Sequence, residues 1–171
     1  TSIGLNLGSD YNASAGHLKT NYRFTVPTKN PEHVETVIKI ISDISHKLTL
    51  EPEAFERERK IVEEEWRKQY GNNKRYFEEI KQYLYKNSIF LNRDPIGKID
   101  VIQNFKYQDV IDYYQKWYQP ELMSVFVIGD IDADNIENLI KKYFKDIKNI
   151  SVKIPDYKIP NYTENQFFTF Q

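Results

Sequence analysis

The repeat of apolar positions changes along this chain, and the changes mark its elements. Residues 17–26, His-Leu-Lys-Thr-Asn-Tyr-Arg-Phe-Thr-Val, alternate and are rich in β-branched and aromatic types, which predicts a strand ended by Pro27. From Pro31 onward Val34, Val37, Ile38, Ile41 and Ile44 recur at helical spacing and predict an amphipathic helix to about Leu48. A second helix is expected from Pro52, a first-turn position where the missing N–H does no harm, to Gly71, a plausible stop. A third, from Asn73 to Lys86, carries the aromatic-heavy stripe Tyr76, Phe77, Ile80, Tyr83 and Leu84. The turn Asn-Arg-Asp-Pro-Ile-Gly (92–97) leads to a short helical stretch and then to a helix marked by Val110, Ile111, Tyr114 and Trp117, which Pro120 ends.

The run Met-Ser-Val-Phe-Val-Ile (123–128), closed by Gly129, predicts a strand buried on both faces. Asp132 or Asp134 then caps a helix with Ile136, Leu139, Ile140, Tyr143 and Phe144 on one face. The tail 150–171 contains Pro155 and Pro160 and ends near Phe-Phe-Thr-Phe, which reads as a linker feeding a strand. The fold class is therefore α+β, or loosely α/β: a mixed sheet of few strands covered by several amphipathic helices.

Composition narrows the function classes. With 171 residues, one domain of ordinary size is expected. Hydrophobic residues make up 40% and charged residues 29%, the profile of a soluble globular chain, and no 18-residue apolar run spans a bilayer. Lys and Arg number 24 against 25 Asp and Glu, so no net positive field favours nucleic acid. The chain has no cysteine, so a transition-metal site must draw on His, Asp or Glu. It opens on Thr-Ser-Ile-Gly with no initiator Met and no secretory signal, as a processed or shortened chain would.

The most informative segment is Phe-Glu-Arg-Glu-Arg-Lys-Ile-Val-Glu-Glu-Glu-Trp-Arg-Lys, residues 55–68. At about 100° per residue, Phe55, Ile61, Val62 and Trp66 define one broad face, with Glu56, Glu63, Glu64, Lys60 and Arg67 opposite. Glu58 and Glu65 depart from the other acids: they lie seven residues apart, two turns along the apolar stripe. A carboxylate facing a core is destabilising unless paired, protonated or bound to a cation. Two readings stay open on periodicity alone. One is a rim position or buried salt bridge; the other is a metal ligand with a second carboxylate that orients it.

Residues 56–67 resemble the glutamate helix of the insulinase, pitrilysin and mitochondrial-processing-peptidase family, inverted zincins whose metal motif is His-x-x-Glu-His. Three further stretches agree in type and order. Asn12, Ala13, Thr20 and Tyr22 match the family's Asn-Ala segment and following strand. Arg93, Pro95, Ile96 and Gly97 resemble its Arg-x-Pro-Ile-Gly turn, and Tyr118, Pro120, Met123, Gly129 and Asp130 its Tyr-x-Pro to Gly-Asp segment. Bacterial-type members look nearest.

The resemblance implies that Glu65 is the third protein ligand of a catalytic zinc, Zn2+, with Glu58 behind it. It implies that Asn12, Ala13, Ser14 and Ala15 belong to a sheet edge along which substrate backbone is laid. Ala15 stands where members often carry Thr, so this chain offers no side-chain hydroxyl there. None of His17, His33 or His46 is followed by x-x-Glu-His, and family spacing puts that motif, with both His ligands and the general base, just before Thr1. Residues 1–149 are thus expected to be an incomplete N-terminal-type metallopeptidase domain, and 150–171 a linker.

In a complete protein of this kind zinc would lower the pKa of a bound water to about 7, and the missing Glu would carry its proton to the leaving amine. The expected substrates are peptides or presequences, with a homologous second half or a dimer partner completing the enzyme; the chain alone is expected to be inactive. One alternative is a non-catalytic partner domain of the same family, against which the retention of Glu58 and Glu65 argues. Another is an interaction module anchored by its 13 tyrosines; their placement on apolar helix faces favours ordinary core packing.

Overall fold

The structure, a computed structural model, describes residues 5–69, 71–157, 160 and 167, apart from the side chains of 72 and 73. It contains strands β1 (Tyr11–Ala15) and β2 (Thr20–Phe24) and helices α1 (Pro31–His46), α2 (Pro52–Gln69), α3 (Asn72–Leu84), α4 (Ile99–Asn104), α5 (Tyr107–Trp117) and α6 (Ala133–Phe144). The class is α+β. The chain divides into two compact units, Thr1–Arg57 with Phe105–Lys153, and Glu58–Asn104 with Ile154–Gln171.

The first unit is organised by α1 and α6. Asn30 caps α1 by accepting from the Glu32 N–H at 3.0 Å, and Asp132 caps α6 by accepting from the Asn135 N–H at 2.7 Å. Val37, Ile38, Ser42 and Ser45 of α1 and Ile136 of α6 are buried. Small serines let two helix backbones approach, and their hydroxyls are satisfied: Ser42 donates to the Tyr143 carbonyl at 2.8 Å, Ser45 to the Ser42 carbonyl at 2.6 Å. At the exposed edge of this contact, Glu35 accepts from both Lys142 Nζ and the Tyr143 hydroxyl at 2.7 Å.

Tyrosine hydroxyls tie the rest of this unit together. Tyr114 donates to the Ile44 carbonyl at 2.8 Å and accepts from the Leu48 N–H at 3.2 Å, while Tyr107 donates to the Leu50 carbonyl. Tyr22 of β2 meets Tyr118 hydroxyl to hydroxyl at 2.6 Å. Burial, and then the bond to Tyr22, holds the Tyr118 hydroxyl above the usual tyrosine range.

The second unit holds Glu58–Gln69 of α2, then α3 and α4. Asp94 opens a tight turn in which the Gly97 N–H returns to the Asp94 carbonyl at 2.9 Å, Pro95 presets the second position, and Gly97 takes a φ of 85°. Lys74 of α3 pairs with the Asp94 carboxylate and with Glu78 at 3.4 Å. Burial disfavours both charges, but their pairing outweighs it, so Lys74 lies above and Asp94 below the ordinary values.

Three expectations fail locally. Residues 123–128 form no strand; Phe126 and Ile128 are 85% and 95% exposed. An apolar run supplies faces for a strand but not the ladder partner that makes one, and β1 and β2 form the one two-stranded sheet among the described residues. Tyr11–Ala15 is a strand that the alternating pattern of 17–26 did not announce, and residues 16–19 are its connecting turn. The α3 stripe remains open, with Tyr76, Phe77, Tyr83 and Leu84 all exposed. The strand expected at the end of the tail falls largely outside the described residues.

Candidate functional site

Glu58 and Glu65 occupy one face of α2, two turns or roughly 10 Å apart along its axis. The helix has no buried residue, and both glutamates are exposed. The inward orientation expected from the stripe is therefore corrected: Ile61, one of its apolar markers, is itself 53% exposed, while Phe55, Val62 and Trp66 are only half-buried. The stripe identifies the face that can pack, and in this chain it is only partly covered. Gln69 donates to Glu65 Oε1 at 3.2 Å, the i to i+4 contact of a solvated helix. An open hollow of about 560 Å3 along this flank is lined by Lys60, Ile61, Glu64, Glu65 and Lys68.

These groups do not make a zinc site by themselves. A catalytic zinc takes three protein ligands and an open position. Among the described residues no three His, Cys, Asp or Glu side chains converge to hold a metal. His46 is instead engaged within α1, its Nδ1 lying 2.6 Å from the Ser42 carbonyl. Glu65 has the chemistry and access of one ligand, and no more than one.

Asn12, Ala13, Ser14 and Ala15 lie in the other unit, all exposed on β1. Two bonds framing the β1–β2 ladder fix its parity: Thr25 N–H to the Asp10 carbonyl at 2.7 Å, and Gly16 N–H to the Lys19 carbonyl at 2.8 Å. With Asn12 opposite Arg23 and Ser14 opposite Asn21, the backbone groups of Asn12 and Ser14 face β2, and those of Tyr11, Ala13 and Ala15 face outward. The outward groups of Tyr11 are occupied, its N–H by the Asn6 carbonyl at 3.3 Å and its carbonyl by the Gly8 N–H at 2.8 Å. The Ala13 N–H donates to Asn12 Oδ1 at 2.9 Å. The Ala13 carbonyl and both backbone groups of Ala15 remain available as an edge among the described residues. The apolar repeat did not mark these residues as a strand, although the family resemblance put them at a sheet edge; the usable local signal was the spacing of two short runs around a Gly-containing four-residue turn.

Residues 3–91, just over half of the chain, match the sequence profile described as Insulinase (Peptidase family M16). The chain belongs to the insulinase family of peptidases. Residues 104–170 match the family's companion profile, the peptidase M16 inactive domain. Insulinase-family relatives include the probable zinc protease PqqL of Escherichia coli strain K12, 34% identical over 82% of this chain, and the zinc protease PQQL-like of Arabidopsis thaliana, 32% identical over 99%. The chain spans 15% and 18% of those two proteins. Among solved structures, the periplasmic protease PqqL from E. coli superposes with a TM-score of 0.87 at 30% identity, covering 93% of this chain and 18% of that one. The ferredoxin protease FusC, solved in complex with Arabidopsis ferredoxin, gives 0.85 at 29% identity, covering 91% and 17%. The insulinase-like fold is thus shared with these enzymes.

Proposed function

We propose that this chain is part of a zinc-dependent metalloendopeptidase that hydrolyses peptides or presequences, to which it contributes Glu65 as one metal ligand, Glu58 as the carboxylate behind it, and β1 as a substrate edge. The observation that carries the reading is the exposed carboxylate of Glu65 on α2, in a chain whose relatives are named zinc proteases. An exposed carboxylate reaches a metal without first breaking a buried pair, and Glu58 lies two turns away on the same face. The outward carbonyl of Ala13 and the amide of Ala15 hold an extended peptide by its main chain, so affinity at this edge depends little on side chains.

In this reading residues 1–149 form part of the peptidase domain and 150–171 a linker, and a homologous second half or a partner copy completes the enzyme. Alone, the chain is inactive and holds zinc weakly; tight one-to-one zinc uptake with peptide hydrolysis by the isolated chain would overturn that. In the complete protein, Glu65→Gln should abolish zinc-dependent peptide cleavage and lower the zinc content measured after dialysis. Unchanged turnover and metal content would remove Glu65 from the site.

A second reading, a non-catalytic partner domain, draws on the match of residues 104–170 to the inactive-domain profile. It requires Glu65→Gln to leave cleavage intact, so the same variant separates the two.

A further inference from the structure

The outer edge of β1 is not uniformly open. Of the outward-facing groups of Tyr11, Ala13 and Ala15, the pair on Tyr11 is held by the 6–8 turn, and the Ala13 N–H is held by the side chain of its own neighbour, Asn12. The two restraints differ in kind. The 6–8 turn is backbone, fastened further where the Asp10 carboxylate accepts from both the Asn6 N–H at 2.8 Å and its side-chain amide at 3.0 Å. The Asn12 carboxamide is an exposed side chain that leaves by rotation about χ1 and χ2.

Short polar side chains compete with ladders for backbone donors, and natural edge strands are blunted by such devices. We propose that Asn12 is a gate on this edge: its Oδ1 occupies the Ala13 N–H in the free protein, and an extended peptide gains that donor only by displacing it. Asn12 is a positioning residue in this scheme. With the gate shut, a peptide strand finds the Ala13 carbonyl and the Ala15 amide and carbonyl; with it open, the register extends by one donor toward the 6–8 turn, where the chain itself ends the edge. This rests on the reading of β1 as a substrate edge.

Asn12→Ala removes the acceptor together with the bulk, and Asn12→Leu removes the acceptor while keeping the same branched heavy-atom skeleton. In each, amide hydrogen exchange at Ala13 should accelerate about two- to fivefold while the amides of Asn12 and Ser14 are unchanged, the scale of one exposed hydrogen bond. A fluorescein-labelled decapeptide alternating Thr and Ser should bind both variants about two- to fivefold more tightly than the unaltered chain by fluorescence anisotropy. Unaltered Ala13 exchange in both variants would show that there is no guard. Faster exchange with weaker peptide binding would show that Asn12 holds the peptide itself and would overturn the gate. Failure of every form to bind, or binding indifferent to N-methylation of alternate peptide amides, would instead sink the substrate-edge reading on which the gate depends.

Discussion

Helices α1 and α2 both start at a proline, both carry a regular apolar stripe, and both carry acidic residues close to it. In α1 the stripe is covered: Ile38 is 2% exposed, and Glu35 beside it is engaged by Lys142 and Tyr143. In α2 no residue is buried, and Glu58 and Glu65 are exposed. The difference teaches that amphipathicity assigns a face, while coverage of that face is a property of whatever else is folded against it. An acid at the margin of a covered stripe is a fastening. An acid on a helix with no buried residue, such as Glu65, stays accessible from solvent.

The largest effect that tests this contrast is Ile38→Ala, which should destabilise the chain by about 2–5 kcal/mol in denaturant unfolding, as cavities in a packed core do. A loss below about 1 kcal/mol would mean that the α1 stripe is no better covered than that of α2.

A smaller loss, about 1 kcal/mol, is expected for Asp94→Ala, which leaves Lys74 with Glu78 as its remaining acidic partner, at a place where both heads retain water. The pair also gives a pH signature. Asp94 is depressed below its ordinary 3.8, so its contribution is present above that value and fades as pH falls through the lower folded value. Lys74 is raised above 10.5, so its contribution holds below that value and fades as pH rises through the higher folded value. Thermal melts from pH 2 to 12 should show both losses, and Asp94→Ala should remove its part of the acid limb and reduce the alkaline one, where Glu78 still holds Lys74; an unchanged profile would assign the acid and alkaline limbs to other groups.

The smallest effects belong to α2. In the isolated chain Glu65→Gln should shift stability by no more than about 0.5 kcal/mol and Ile61→Ala by less than about 1 kcal/mol. Either change matching Ile38→Ala would erase the distinction between the two helices. The contrast sharpens if Glu65→Gln, neutral for folding here, removes activity in the complete protein.

Much of this was legible from spacing. The helices fall within a few residues of where their apolar repeats put them, because an α-helix satisfies its own backbone and needs only a local pattern and a cap. Asn30 and Asp132 supply those caps from residues that the sequence displays. The family's Asn-Ala, glutamate-helix and Pro-Ile-Gly segments were legible for the same reason, each being a short contiguous string.

What the sequence by itself determined was the helix inventory, the α+β class, the family, and the shared face of Glu58 and Glu65. Tertiary structure alone decided that both glutamates are exposed, that 123–128 finds no ladder partner among the described residues, that Tyr11–Ala15 becomes a strand by pairing with Thr20–Phe24, and that Asn12 covers the Ala13 donor. Burial and strand pairing are relations between segments distant along the chain, so no local repeat encodes them. A helix carries its hydrogen bonds within itself, whereas a strand edge and an exposed carboxylate take their meaning from what lies beside them.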